Sequence, residues 1–134
     1  MAIASGMPPI LRLRRSAQSG TKAMTAAWQV VYTENTASSA LAYIFGGAAF
    51  NLTPMAAGDV IEVRIRKILV PTGVWVNHDA KTYRDAPDPA SPARRIGPIL
   101  DVYGVEISMR QTGIAVALLT LECEFYEAKR LGLT

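Results

Sequence analysis

The segment DVIEVRIRK (residues 59–67) decides the fold class, because apolar and polar residues alternate along it. Ile61, Val63 and Ile65 fall on one side of this segment, and charged residues fall on the other. Successive side chains of a β-strand point to opposite faces, so a period of two predicts a strand with one buried face and one wetter face. Such half-buried strands are typical of antiparallel sheets rather than of parallel α/β sheets.

Three further segments alternate in the same way. Around residues 26–33, Ala26, Trp28, Val30 and Tyr32 are predicted to form one apolar face. The other two segments lie at residues 103–113 and 117–129. From them we expect one common core, formed by Val105, Ile107, Met109, Leu119, Leu121, Cys123 and Phe125. Only QTGIAVAL (residues 111–118) separates these last two strands, which predicts that they pair as a hairpin.

Turn signals separate the predicted strands. The clearest is DAPDPASPARRIGP (residues 85–98), which we interpret as an excursion from the sheet because proline cannot donate to a strand ladder. The pair Gly46 and Gly47 predicts two short strands, or one bulged strand, in residues 38–50. After Arg66 the alternation fails, which predicts a bulge or an end of the sheet covered on both faces. The predicted fold is therefore all-β, an antiparallel β-sandwich or jelly-roll-like barrel.

The cationic residues are distributed unevenly along the chain of 134 residues. Residues 1–33 carry four of them, Arg12, Arg14, Arg15 and Lys22, and no acidic residue. The remainder carries a net charge of −1, so the high isoelectric point of about 9.2 is due to the N-terminal segment. We therefore divide the chain into a basic, extended N-terminal arm (residues 1–24) and a β-sandwich domain (residues 25–134).

The arm has two prolines, two glycines and clustered cations, and so has little means to order itself. We expect a neighbouring subunit to hold it, with arginines pairing to acidic groups there. The alternative is that the arm adds as a strand to its own domain. Aromatic residues of the domain are further candidate anchors at an interface. The candidate contact residues are Ile10, Leu11, Arg12, Leu13, Arg14, Arg15, Lys22, Trp75 and Tyr83.

Residues that could carry chemistry are few. His78 is the only histidine, and its neighbour Asp79 would point to the opposite face of a strand, so the two do not form a base and its orienting group. Cys123 is the only cysteine and falls in the apolar phase of its strand, which indicates a small core residue. The triplet NLT at Asn51 is a weak match to a glycosylation acceptor. We expect no enzyme, no catalytic residue, no metal site and no cofactor.

Residues 51–113 resemble a known group of proteins. The segments are NLTPMAAGDVIEVRIRK (residues 51–67), TGVWVNHDAKTYRDA (residues 72–86) and IGPILDVYGVEISMRQTG (residues 96–113). The order of these segments is similar to that found in small β-rich proteins encoded beside the capsid genes of tailed phages and related viruses. The QTG of this chain lacks one small residue of the QTAG usual in that group, and the arm is not part of the pattern. The resemblance implies a structural role in the virion, as a capsid decoration or cement protein.

Three functions are compatible with these residues. The first is a virion structural protein that forms a homo-oligomer and contacts a major capsid protein or another virion protein. The second is a carbohydrate- or receptor-binding β-sandwich module, which an exposed patch of Trp75 and Tyr83 would favour. The third is nucleic-acid binding through the basic arm, although the near-neutral domain makes this a weaker reading. No apolar run is long enough to span a bilayer, so we expect no membrane contact.

Overall fold

The computed structural model describes residues 14–34, 43–127 and 129–130, and these residues contain strands and no helix. The prediction of an all-β fold is confirmed. The strands are β1 (Gly20–Ala23), β2 (Gln29–Glu34), β3 (Tyr43–Phe45), β4 (Ala48–Asn51), β5 (Val60–Ile68), β6 (Trp75–Arg84), β7 (Ala93–Ile96), β8 (Ile99–Asp101), β9 (Val105–Gly113), β10 (Thr120–Phe125) and β11 (Lys129–Arg130).

The strands form two layers packed as a sandwich, and every pairing between them is antiparallel. The front sheet has the order β2-β9-β5-β6. The back layer consists of two smaller sheets, β1-β10-β4-β7 and β11-β3-β8. β6 is thus an edge strand of the front sheet, and β1 and β7 are edge strands of the back layer.

The core lies between the two layers. Tyr32 of the front sheet packs on Phe45 and Phe125 of the back layer, with ring centroids 4.8 and 5.1 Å apart. The predicted inward residues of β5 are buried, as are those of β9 and β10 from Val105 to Phe125, while Leu119 is partly buried against the same core. The prediction of one common core is confirmed.

The back layer is interrupted at one level, where three neighbouring strands each end and a new strand follows. β3 and β4, β7 and β8, and β10 and β11 each follow one another along the chain, and the gaps lie opposite each other in the register. At this level Gly47 has φ +102°, and a Cβ there would clash with the carbonyl oxygen of Ile96. The glycine pair therefore separates two short strands, as predicted, because the backbones approach too closely for a side chain.

The predicted hairpin of β9 and β10 is wrong. β9 pairs with β2 and β5 in the front sheet, whereas β10 pairs with β1 and β4 in the back layer. The segment between them crosses from one layer to the other. Alternation predicted which side chains of both strands are buried, but two strands facing one core from opposite layers have the same alternation as two paired strands.

Two other predictions need correction. In β2 a bulge at Val31 shifts the register, so Val31 and Tyr32 are both buried while Val30 is 52% exposed. The expected apolar face therefore does not continue through this strand. In the proline-rich segment, residues 93–96 are not a loop but the edge strand β7, which pairs with β4. Its prolines flank the strand and are absent from it, so they remove no donor from the ladder.

A register shift does occur near Arg66, where the alternation fails. Ile65 pairs with Asp79 and Arg66 pairs with Asn77, so the extra residue is His78 of β6. The apolar run after Arg66 then ends in the turn between β5 and β6, where Leu69 and Val70 are exposed. A bulge on an edge strand hinders pairing with another chain, which suits the exposed position of β6.

The described residues of the arm are part of the back layer of the same chain. β1 pairs with β10 from Gly20 opposite Cys123 to Ala23 opposite Thr120, and Met24 is buried. The backbone of Ser16 donates to Phe125 O at 2.7 Å. The boundary predicted at residue 24 therefore does not separate an arm from the domain, because residues 14–24 make strand contacts within the chain.

Candidate interaction surfaces

The predicted contact residues of the arm divide into two groups. Ile10, Leu11, Arg12 and Leu13 lie outside the described residues. Arg14 is exposed and its carbonyl accepts a hydrogen bond from the Glu127 backbone at 2.7 Å, while Arg15 forms an ion pair with Glu124 at 3.6 Å. Lys22 lies opposite Leu121 in the β1–β10 ladder. The acidic partner found for Arg15 is thus in the same chain.

Trp75 and Tyr83 do not form one surface. They lie eight residues apart on β6, which is about 26 Å along a strand. Trp75 packs on the backbone of Gly104, where a Cβ would approach its ring to 3.0 Å. Tyr83 pairs with Ile61 and packs against the core, and burial raises its pKa. Both aromatic residues are partly buried, so they act at least partly as packing residues within the chain.

Two groups of exposed apolar side chains lie at opposite ends of the front sheet. The turn patch consists of Leu69 (61% exposed), Val70 (58%) and Val74 (75%) in the turn between β5 and β6, and of Val76 (38%) at the start of β6. The loop patch between β9 and β10 consists of Ile114 (48%), Val116 (94%) and Leu118 (48%). β5 runs between the two ends and spans about 26 Å. The sequence predicted a connection at residues 111–118, but it identified neither segment as an apolar surface.

The outer face of the front sheet carries a ladder of charged side chains across β5 and β9. Glu62 lies opposite Arg110, Arg64 opposite Ser108, and Arg66 opposite Glu106. Arg110 donates to Glu62 Oε2 through Nε at 3.0 Å and through Nη2 at 2.8 Å. Two of the three rungs are therefore ion pairs, and the middle rung has a cation without an acid.

The second ion pair of the ladder is largely shielded from solvent. Arg66 donates to Glu106 through Nε at 2.8 Å and also through Nη2, and Ser108 donates to the same carboxylate at 3.3 Å. Glu106 is only 6% exposed. The Glu106 Oε1 therefore accepts from both Arg66 and Ser108, and among the described residues Glu106 forms neither an ion pair nor a hydrogen bond with Arg64.

Trp28 covers two of these arginines. The guanidinium carbons of Arg64 and Arg110 lie 4.3 and 4.4 Å from its ring centroid, which is cation–π distance. The Arg64 Nε is buried and has no hydrogen-bond partner among the described residues. Burial lowers the pKa of Arg64, as do the positive charges of Arg66 and Arg110, while Glu106 raises it.

A concavity of about 440 Å³ opens beside Arg64 on this face. The strand register places Ala80 opposite Arg64 and Thr82 opposite Glu62. The small side chain of Ala80 leaves space in front of the guanidinium, and Trp28 forms one wall. Arg64 and Trp28 were not among the residues predicted as contacts; only the register between β5 and β9 reveals that Arg64 lacks an acid.

The residues considered for chemistry occupy ordinary structural positions. His78 is exposed at the bulge, and the Asp79 carboxylate accepts one hydrogen bond from the Ala80 backbone N–H and pairs with Lys81. Cys123 is buried, and desolvation raises its pKa to about 12. The side-chain amide of Asn51 donates to Glu122 at 2.6 Å, so its nitrogen is already engaged.

Among the described residues, no group of three or more His, Cys, Asp or Glu side chains is arranged to hold a metal ion. No helix in the described part of the chain is long and apolar enough to cross a membrane. Comparison with known proteins gives no matching family model, no similar curated protein and no similar solved structure.

Proposed function

We propose that this chain is a structural subunit of a viral particle, a decoration or cement protein that works by protein–protein contacts and not by catalysis. Its partners would be further copies of itself and a major capsid or other virion protein, which places it in the virion. The observation that carries the proposal is the pair of exposed apolar patches at the two ends of the front sheet. Contiguous exposed apolar groups on a folded domain are typical of interaction sites.

The positions of the two patches favour assembly over binding of one small ligand. The turn patch and the loop patch lie about 26 Å apart along β5. Contacts between opposite ends of successive subunits are heterologous, and such contacts generate rings or extended arrays. A subunit that spreads over a particle needs contacts on more than one side.

The resemblance of residues 51–113 is the second support. Its GD and QTG motifs contain Asp59 and Gln111, which form a hydrogen bond with an Nε2 to Oδ1 distance of 3.2 Å. Both side chains are buried, at 2% and 0% exposure. The motifs thus have a structural role that a β-sandwich of this kind requires, and no chemical role has to be assigned to them.

The experiment has two parts. Sedimentation velocity of the purified chain over a range of concentrations is expected to show association. Val74→Asp and Val116→Asp should each weaken it, because each places a charge in one patch. Val30→Asp is the matched control, since Val30 is exposed and lies outside both patches. Association that is equally strong in all three variants would contradict a role for the patches.

The virion assignment is tested separately by mass spectrometry of purified particles from a culture that carries the gene. We expect the chain to copurify with particles through a density gradient. Its absence from particles, together with its presence in the cell lysate, would overturn the virion role. Association in sedimentation without particle binding would leave an assembling protein of another kind.

The carbohydrate-binding alternative has no support from Trp75 and Tyr83, because they lie at opposite ends of β6 and are partly buried. The nucleic-acid alternative rests on the arm. Of its three cations in the described residues, Arg15 pairs with Glu124, Lys22 lies within the sheet, and Arg14 alone is exposed without an ion pair to a described residue. Neither alternative has an observation that favours it over assembly.

A further inference from the structure

We propose that the outer face of the front sheet contains a receptor for a single carboxylate group, built around Arg64. The inference goes beyond the proposed function and does not depend on it. It starts from the ladder of β5 and β9. Glu62 forms an ion pair with Arg110, and Glu106 forms one with Arg66. Arg64 is therefore the one arginine of this ladder with neither an ion pair nor a hydrogen bond to a described residue.

A cation in such a position favours an external anion. The Arg64 side chain is partly removed from water and lies near two other guanidinium groups, and both effects lower its pKa. Burying a charge without a partner costs free energy, and a bound anion would offset that cost. The register makes this a defined feature of the ladder, because Ser108 stands where an acid would complete the middle rung.

Trp28 holds the receptor in a fixed orientation. An arginine stacked on an aromatic face keeps its N–H donors in the guanidinium plane, and they remain free to meet a ligand at the edge. The Arg64 Nε is buried, but its terminal nitrogens are not among the buried unpaired atoms. A ligand would therefore meet the terminal nitrogens end-on. Stacking fixes the plane beforehand, which lowers the entropy cost of binding.

The concavity beside Arg64 has the size and lining for a small polar group. It holds about 440 Å³, with Trp28 as a wall and Ala80 leaving space in front of the guanidinium. Thr82 and Asn77, which also line it, supply a hydroxyl and an amide. Lys81 also lines the concavity but forms an ion pair with Asp79 at 3.3 Å, so Arg64 is the cation left to match a ligand that carries a single negative charge.

The charges around the concavity leave one positive charge in excess. Glu62 is paired with Arg110, Glu106 with Arg66, and Asp79 with Lys81, so of these cations Arg64 alone has no acidic partner among the described residues. A carboxylate carries the single negative charge that balances this excess, whereas a phosphate group carries about −1.5 to −2 near neutral pH. A planar carboxylate also matches the planar fork of an arginine.

The test uses the full chain labelled with ¹⁵N and titrated with sodium acetate in place of sodium chloride at constant ionic strength. We expect saturable shifts of the Trp28 indole and the Arg64 Nε–H signals. Arg64→Gln should weaken acetate binding at least about tenfold, whereas Arg84→Gln should not change it. Arg84 is exposed on β6 and does not line the concavity, so it is a matched control for lost charge.

Circular dichroism of Arg64→Gln establishes that the variant is folded, and Arg64→Lys provides a second variant that keeps the charge. We expect Arg64→Lys to bind acetate more weakly than the wild-type chain, because an ammonium lacks the stacked planar fork. Shifts that persist unchanged in Arg64→Gln would overturn the proposal. Shifts that grow linearly without saturation would also overturn it, since they indicate general ion effects.

Further titrations distinguish the source of the carboxylate. A capped peptide with one glutamate that binds more tightly than acetate would indicate a carboxylate presented by a protein. Equal binding of the two would indicate a small free carboxylate, and both results support the receptor. Phosphate binding more tightly than acetate would overturn the choice of a carboxylate. An oligothymidylate binding more tightly than either would reassign the face to nucleic acid and overturn it as well.

Discussion

The Gln111 side-chain amide donates a hydrogen bond to the Asp59 carboxylate, with Nε2 3.2 Å from Oδ1. The two residues are 52 positions apart and both are buried. Asp59 also accepts from the backbone of Ala115 at 2.9 Å, and Gln111 Oε1 accepts from the backbone of Leu119 at 2.9 Å. Together they hold the segment that carries the chain from the front sheet to the back layer.

Replacing Gln111 with Leu should therefore destabilise the protein. The change leaves the Leu119 backbone N–H without its partner and removes one donor from Asp59. We expect a loss of about 1–3 kcal/mol in the free energy of unfolding, the usual cost of leaving a buried polar group without its partner. Urea denaturation measures it. Thr112→Ala is the neighbouring control on an exposed side chain, and an equal loss in both variants would contradict the role given to Gln111.

Leu121→Ala tests the core that both layers share. Leu121 is fully buried on β10, so its truncation should cost about 2–5 kcal/mol of unfolding free energy. Thr120→Ala, one residue earlier on the exposed side of the same strand, should change stability by less than about 0.5 kcal/mol. Chemical denaturation of the two variants provides the comparison. Similar effects from both would mean that the inward face of β10 is wrongly assigned.

Cys123 should show a dependence of stability on pH. Burial raises its pKa from 9.0 to about 12, so the folded protein holds the thiol proton more tightly than the unfolded chain. The contribution of the protonated thiol to the free energy of unfolding is fully present below pH 9 and is lost as the pH rises towards 12. Unfolding curves of the wild-type chain and of Cys123→Ala isolate this effect, because their stability difference should change in that range. A difference that stays constant from pH 8 upward would contradict it.

Two N-terminal deletions distinguish the role of residues 1–13 from the role of β1. Removing residues 1–13 leaves β1 and the contacts of Ser16 with β10 in place, so the β domain should keep its melting temperature. Removing residues 1–22 deletes most of β1 and its pairing with β10, and should lower the melting temperature. Comparing both deletions in thermal unfolding and in sedimentation tests whether residues 1–13 act between subunits. Equal melting temperatures for the two deletions would contradict the structural role of β1.

The sequence by itself determined the all-β class and the inward faces of β5, β9 and β10. A strand has a period of two, so alternation places Ile61 or Leu121 on the buried side without knowledge of any partner strand. The pair Gly46 and Gly47 likewise predicted a break, because it is a strong local signal. These features depend on backbone geometry over a few neighbouring residues, and the identity of those residues is enough to predict it.

Only the tertiary structure decided which strands pair and which side chains meet. Alternation is the same whether β9 and β10 pair or face each other across the core, so the hairpin was predicted wrongly. Bulges at Val31 and His78 depend on the partner strand; the failed alternation after Arg66 indicated the second one only on the opposite strand, and no local signal marks the first. Asp59 meets Gln111, and Arg64 lies opposite Ser108 instead of an acid, only because β5 and β9 pair in one register. These contacts follow from the register, because each pair of opposite residues joins two parts of the chain that are far apart in sequence. A local sequence pattern does not indicate such a pair.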